Sequence, residues 1–120
     1  MTEQIGQHVL LDVEGVEAAR LSDATAIEAW LRAAAEAAGA HVLFGHFHPF
    51  GPEQGVTGVL LLMESHISIH TWPEHGYAAI DIFMCGEANV QYAVDVLLHV
   101  LAPRRHRQRT LARGKGAIAR

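Results

Sequence analysis

The sequence predicts an α/β fold, a two-layer α/β sandwich with an antiparallel sheet and two helices on one face. Three observations carry this. Four strand-like runs follow one another between Ala40 and Met84 with only short turns between them, and parallel neighbours would need long crossovers. Two further segments have apolar residues at helical rather than strand spacing. At 120 residues, half of them hydrophobic and 18% charged, the chain is sized for one globular domain, 1–120.

In order, Gly6 to Val13 reads as the first strand and Glu14 to Leu21 as a connection. Ser22 or Asp23 can cap a helix over 24–38, which Gly39 ends. Ile27, Trp30, Leu31 and Ala34 form its apolar stripe, a core face. The second strand runs from Ala40 to Phe50. Gly51 to Gly55 turns, and Val56 to Met63 is apolar enough for a central strand. His66 to Trp72 alternates polar and apolar. Pro73 to Gly76 turns again, and Tyr77 to Met84 is the fifth strand. Ala88 to Leu101 has helical spacing and stops before Pro103. Arg105 to Leu111 suits a last edge strand. The order is β-α-β-β-β-β-α-β. Helices on one face leave the other uncovered, which points to a dimer or to a polar active-site face.

Composition narrows the function. No apolar run approaches the ~20 residues that span a bilayer, and Met1-Thr2-Glu3-Gln4 lacks a secretion signal. A cytoplasmic protein with no membrane partner is expected. A single cysteine, Cys85, excludes an intrachain disulfide. All 13 acids precede Pro103, opposed there only by Arg20 and Arg32. From Pro103 onward come Arg104, Arg105, Arg107, Arg109, Arg113, Lys115 and Arg120 with no acid. The acidic body would attract a small cation. The basic tail has no stacking aromatic, so no nucleic-acid partner is expected.

Chemistry concentrates between Glu64 and Gly86. Nine histidines are many for this length. His46 with His48, and His66 with His70, share strand faces and could ligate zinc in a non-enzymatic metal-binding module. Solvated histidines on a sheet face are the commoner outcome, and no metal site is expected. Ser65, His70 and Asp81 could form a hydrolase triad, but no G-x-S-x-G elbow surrounds Ser65. Cys85 suits a buried structural thiol or a proton donor that opens on a pocket. A straight strand puts Ser65 and His70 on opposite faces, so a bulge or a second subunit must bring them together.

The segment Glu64-Ser65-His66-Ile67-Ser68-Ile69-His70-Thr71-Trp72-Pro73-Glu74, with Gly76 to Phe83 and Cys85-Gly86, resembles the small prokaryotic S-adenosylmethionine decarboxylases. The likeness runs from about Gly6 to the basic tail. It implies a proenzyme that cuts itself between Glu64 and Ser65 into a β chain, 1–64, and an α chain, 65–120. Ser65 becomes a pyruvoyl cofactor, with His70 as the processing base. That group forms a Schiff base with S-adenosylmethionine and draws electrons from the carbon that loses carbon dioxide. The product is the aminopropyl donor for spermidine. Cys85 matches the family's proton donor, Phe50 an aromatic that stacks on adenine, and Glu74 the carboxylate that holds the ribose hydroxyls. Thr57 stands where the family often has a serine assisting processing, and Met84 where many relatives have threonine. The only lysine, Lys115, lies in the tail, which fits a cofactor made from the chain itself. The resemblance also implies a homodimer with sites between protomers. Ser65 and Cys85 would come from one, with Phe50, Thr57, His70 and Glu74 from the other. Ornithine or arginine is the alternative substrate on the same scaffold.

Overall fold

The computed structural model describes residues 4–118. Arg120 of the basic tail and residues 1–3 lie outside the described residues. Six strands form one sheet: β1 (Gln4–Glu14), β2 (Val42–Pro49), β3 (Val56–Leu62), β4 (Ser65–Trp72), β5 (Tyr77–Cys85) and β6 (Arg105–Gly114), in the spatial order β2-β3-β4-β5-β1-β6. Every pairing is antiparallel. The helices are α1 (Ala18–Leu21), α2 (Ala24–Ala37) and α3 (Val90–Leu101).

The expected architecture is present, with three adjustments. The connection 14–21 contains the one-turn helix α1, too short for a periodic signal, whose Leu21 is fully buried. β1 and β6 are longer than the sequence suggested because they pair with each other over nearly their whole length, from Gln4 against Gly114 to Glu14 against Arg105. α3 begins at Val90 rather than Ala88, because the Asn89 side chain accepts from the Gln91 N–H and caps it there. Of the two candidate caps for α2, Asp23 is the one that acts, accepting from the Ala26 N–H at 3.0 Å.

Alternation along each strand sorts the side chains onto two faces. On one lie Val9, Leu11 and Val13 of β1, Leu60 of β3, Ile67 and Ile69 of β4, and Ile80 and Ile82 of β5, all buried. α2 and α3 close over them with Ile27, Leu31, Val94 and Leu97 into one core. At ~25 cal/mol per Å² of apolar surface, this layer is the main stabilising term. Gly58 shows how tight the layer is. A β-carbon there would stand 2.1 Å from Cδ2 of Phe47, its cross-strand neighbour.

Among the described residues the opposite face carries no helix, and three of its rows cross all six strands. The first is His48, Thr57, His70, Ala79, Asp12 and Arg107. The second is His46, Val59, Ser68, Asp81, Leu10 and Arg109. The third is Phe44, Leu61, His66, Phe83, His8 and Leu111. This open face mixes titratable groups with exposed apolar ones such as Phe44, Leu61 and Leu111. Among the described residues no helix is long and apolar enough to cross a membrane.

Candidate active site

The turn between β3 and β4 is only two residues long, because Leu62 pairs directly with Ser65. Its second residue, Glu64, has φ 58, in the left-handed region that costs a side-chain-bearing residue roughly 1–2 kcal/mol. The peptide between Glu64 and Ser65 therefore sits at a strained corner with a hydroxyl on its C-terminal side. β5 brings Cys85 alongside. The Cys85 thiol donates to the Glu64 carbonyl oxygen at 2.8 Å, and the Cys85 N–H donates to Ser65 Oγ at 3.1 Å. One residue thus polarises the carbonyl and holds the hydroxyl through two different groups. Because the N–H occupies a lone pair of Oγ, the hydroxyl proton stays free to leave.

A cleft of about 470 Å³ opens at this corner, lined by Ser65, Glu64 and Cys85 together with His41, Glu87 and the chain around Gly39. The sequence reading missed His41 and Glu87. Strand register would have signalled His41, since its carbonyl accepts from the Met63 N–H at 2.9 Å, beside the turn.

The other expected residues gather at the far end of the same strands. His70 and Thr57 are a cross-strand pair on the open face, and their side chains meet at 3.0 Å, Thr57 Oγ1 to His70 Nδ1. Phe50 follows β2, exposed, with its ring edge-on to His48 at 4.8 Å between centroids. Glu74 lies in the 3-10 turn Pro73–His75 after β4 and lines a separate cleft of about 360 Å³ with Glu53 and Ser22. Ser65 and His70 stand five residues apart on one strand, roughly 16 Å by strand rise, and face opposite ways. β4 has no bulge against either neighbour to realign them. One protomer therefore brings together Glu64, Ser65 and Cys85 at one end, and Thr57 with His70 at the other, but not the two groups.

The competing readings fail on the same register. Asp81 stands opposite Ser68, and its nearest basic group is His8, 3.9 Å away, so Ser65, His70 and Asp81 form no triad. β3 separates the β2 histidines His46 and His48 from His66 and His70 on β4, leaving roughly 10 Å between the two strands. Burial pushes the His66 imidazole below its ordinary range, His8 adds to this, and Asp81 opposes it.

A third cleft, of about 360 Å³, lies between β1, β5 and β6 and includes Asp12, Tyr77 and Arg107. Here the Tyr77 hydroxyl makes a short hydrogen bond to Asp12. That bond, with burial, pushes the phenol up to about 12, so it remains a donor wherever the protein works. Tyr77 packs on Trp72, and Trp72 on His70. The sequence reading assigned nothing to Asp12, Trp72 or Tyr77. The pairing of Trp72 with Tyr77 across the 73–76 turn was the available signal.

Residues 7–114 match the model of the S-adenosylmethionine decarboxylase family. The S-adenosylmethionine decarboxylase proenzyme of Persephonella marina is 45% identical over 115 residues, spanning 95% of this chain and 86% of that protein. The proenzyme of the same name from Methanococcus maripaludis is 53% identical over 85 residues, 71% of this chain and 69% of its own. Among solved structures, the adenosylmethionine decarboxylase from Aquifex aeolicus matches with a TM-score of 0.88 at 36% identity, covering 95% of this chain and 94% of that one.

Proposed function

Because this chain belongs to the S-adenosylmethionine decarboxylase family, we propose that it is a proenzyme that cuts itself between Glu64 and Ser65 and then decarboxylates S-adenosylmethionine. The observation that carries this is the contact set at the junction: a left-handed Glu64, its carbonyl on the Cys85 thiol, and Ser65 Oγ on the Cys85 N–H.

Ser65 Oγ attacks the Glu64 carbonyl carbon. The C–N bond breaks, and the hydroxyl proton ends on the departing nitrogen. The Cys85 thiol stabilises the oxygen as it gains charge, in the manner of an oxyanion hole. The amide is now an ester. A base removes the α-proton of residue 65, and Glu64 leaves as a carboxylate. Hydrolysis of the remaining dehydroalanine releases ammonia and leaves a pyruvoyl group at residue 65, with chains 1–64 and 65–120. His70 is that base, and it comes from a partner protomer, since within one protomer it faces away from Ser65.

The residues fit such a group. Position 65 begins a strand held on both sides and opens on the junction cleft, with a thiol beside it. When formed, the pyruvoyl ketone supplies the electron sink for the carbon that loses carbon dioxide. Cys85 holds a proton next to that carbon. Thr57 fixes the His70 ring nitrogen. Phe50, exposed at the His70 end of the sheet, stacks on the adenine. Glu74 accepts from the ribose hydroxyls. The dimer buries the open face and so removes Phe44, Leu61 and Leu111 from water. The metabolism this serves, supply of an aminopropyl donor for spermidine, is cytoplasmic chemistry.

A denaturing gel of purified protein tests the reading. The 13.1 kDa chain should run as two smaller species, and Ser65→Ala should remain whole and inactive. Carbon dioxide release, assayed in parallel on S-adenosylmethionine, ornithine and arginine, should be confined to the first. An uncut, folded wild-type chain with no carbonyl that reacts with hydrazine overturns the proposal.

A further inference from the structure

On the open face the side chains of His70, Trp72, Tyr77 and Asp12 follow one another in contact. His70 and Trp72 are two apart on β4, with ring centroids 6.3 Å apart and planes tilted by 37°. Trp72 and Tyr77 are a cross-strand pair, 5.4 Å apart and tilted by 32°. The Tyr77 hydroxyl donates to Asp12 on β1. In the row that joins His70 to Asp12, the residue between them is Ala79, whose methyl group leaves the space beside it to the larger rings. None of these aromatics belongs to the core, and Trp72 keeps 39% of its surface exposed.

In a single protomer, a partly exposed tryptophan on an open sheet face has room to change rotamer. Here one flank meets an imidazole and the other a phenol whose far end is tied to a carboxylate. The Thr57 hydrogen bond fixes the direction of His70 Nδ1 but lets the ring swing about that contact. A second contact, with Trp72, removes the swing.

We propose that Asp12 and Tyr77 are positioning residues for His70: the phenol pinned to Asp12 braces Trp72, and Trp72 sets the plane of the imidazole that must reach the partner's residue 65. The inference rests on the reading of His70 as the base in self-cleavage. Asp12 and Tyr77 touch neither the junction nor the substrate; they act through the stack. The phenol stays protonated far above neutral pH, so the brace persists over the pH range in which an imidazole base titrates.

The test uses Tyr77→Phe, Asp12→Ala and the double variant, with His70→Ala as reference. Self-cleavage is followed on denaturing gels, and hydroxylamine reports the ester, since it cuts an ester but not an amide at 64–65. A misplaced His70 stalls the reaction after the ester forms. Tyr77→Phe and Asp12→Ala should therefore cleave roughly tenfold more slowly, since displacements of ~1 Å at a reacting group cost factors of this order or more. Hydroxylamine-sensitive chain should accumulate, as in His70→Ala. The double variant should be no slower than the slower single, because both remove one hydrogen bond. Tyr77→Phe keeps the ring, so its result stands whether or not Asp12→Ala folds. Cleavage within twofold of wild type, slow cleavage without the trapped ester, or fully additive losses would overturn the inference. A wild-type chain that never cleaves would overturn the reading beneath it as well.

Discussion

Glu64 adopts a left-handed backbone that nothing in its side chain favours, and that is the most informative single residue in the chain. In a two-residue turn, glycine or asparagine would take φ 58 at less cost. Strain at the bond that the proposed self-cleavage breaks, with a thiol on its carbonyl, raises the starting state toward a strained adduct. The residue types at this corner were legible from the motif, but the conformation was not, because φ follows from how β3 and β4 close. His66 tells a different story. It stands at the centre of the open face, its ring 6.2 Å from that of His8, and burial with His8 lowers its pKa below 6.5. A histidine that resists protonation when folded is protonated first in the unfolded chain. Its contribution to stability is whole above about pH 6.5 and declines as pH falls toward the lowered folded value. His66→Gln should therefore lose less stability than wild type between pH 7 and 5, measured as the denaturation midpoint at each pH. Parallel curves would show that His66 is not the group responsible.

The site elements depend on one buried hydroxyl. Thr71 is the only polar residue with a buried side chain among the described residues of the core. Its Oγ1 donates to the Leu21 carbonyl of α1 at 2.6 Å and accepts from the Val56 N–H of β3 at 2.8 Å. One atom thereby joins β4, β3 and α1, next to both Thr57 and His70. Close packing around it is tight, since a β-carbon at Gly55 would stand 2.2 Å from the Thr71 carbonyl oxygen. Thr71→Val keeps the shape and strands both partners, which should cost about 1–3 kcal/mol. Thr71→Ser should recover most of it. Urea midpoints on the uncut Ser65→Ala background would measure this without interference from cleavage, and equal midpoints for the two variants would refute it. The strands themselves were legible because each buries one face and alternates accordingly. α1 was not, because a single turn such as Ala18–Leu21 repeats no periodic pattern. The extra length of β1 and β6 was hidden too. Pairing between the two ends of a chain leaves no local mark on arginine-rich residues such as 105–113.

At the scale of the whole molecule, one sheet carries two separate groups, Glu64–Ser65–Cys85 and Thr57–His70, at opposite ends of β4. Parity along a strand foretold that Ser65 and His70 would part, and the register leaves no bulge to reunite them. A two-fold axis between open faces, running across the strands near Ser68, would bring the Glu64–Ser65 end of each β4 level with the His70 end of the other protomer's β4. It would also stack the Ser68 row on its own copy and the His70 row on the partner's His66 row. Such an arrangement makes a prediction that no single-protomer site can share. Ser65→Ala and His70→Ala chains should each remain uncut alone. Mixed and allowed to exchange subunits, they form dimers with one intact pair, Ser65 from the His70→Ala chain and His70 from the Ser65→Ala chain. Only the His70→Ala chains should then be cut, and only the fraction present in mixed dimers, about half at equal mixing and random pairing. Tagging one chain separates the two on a gel. If the mixture stays uncut while sedimentation shows that subunits have exchanged, the two half-sites do not meet across protomers, and His70 must reach residue 65 by a rearrangement within the chain.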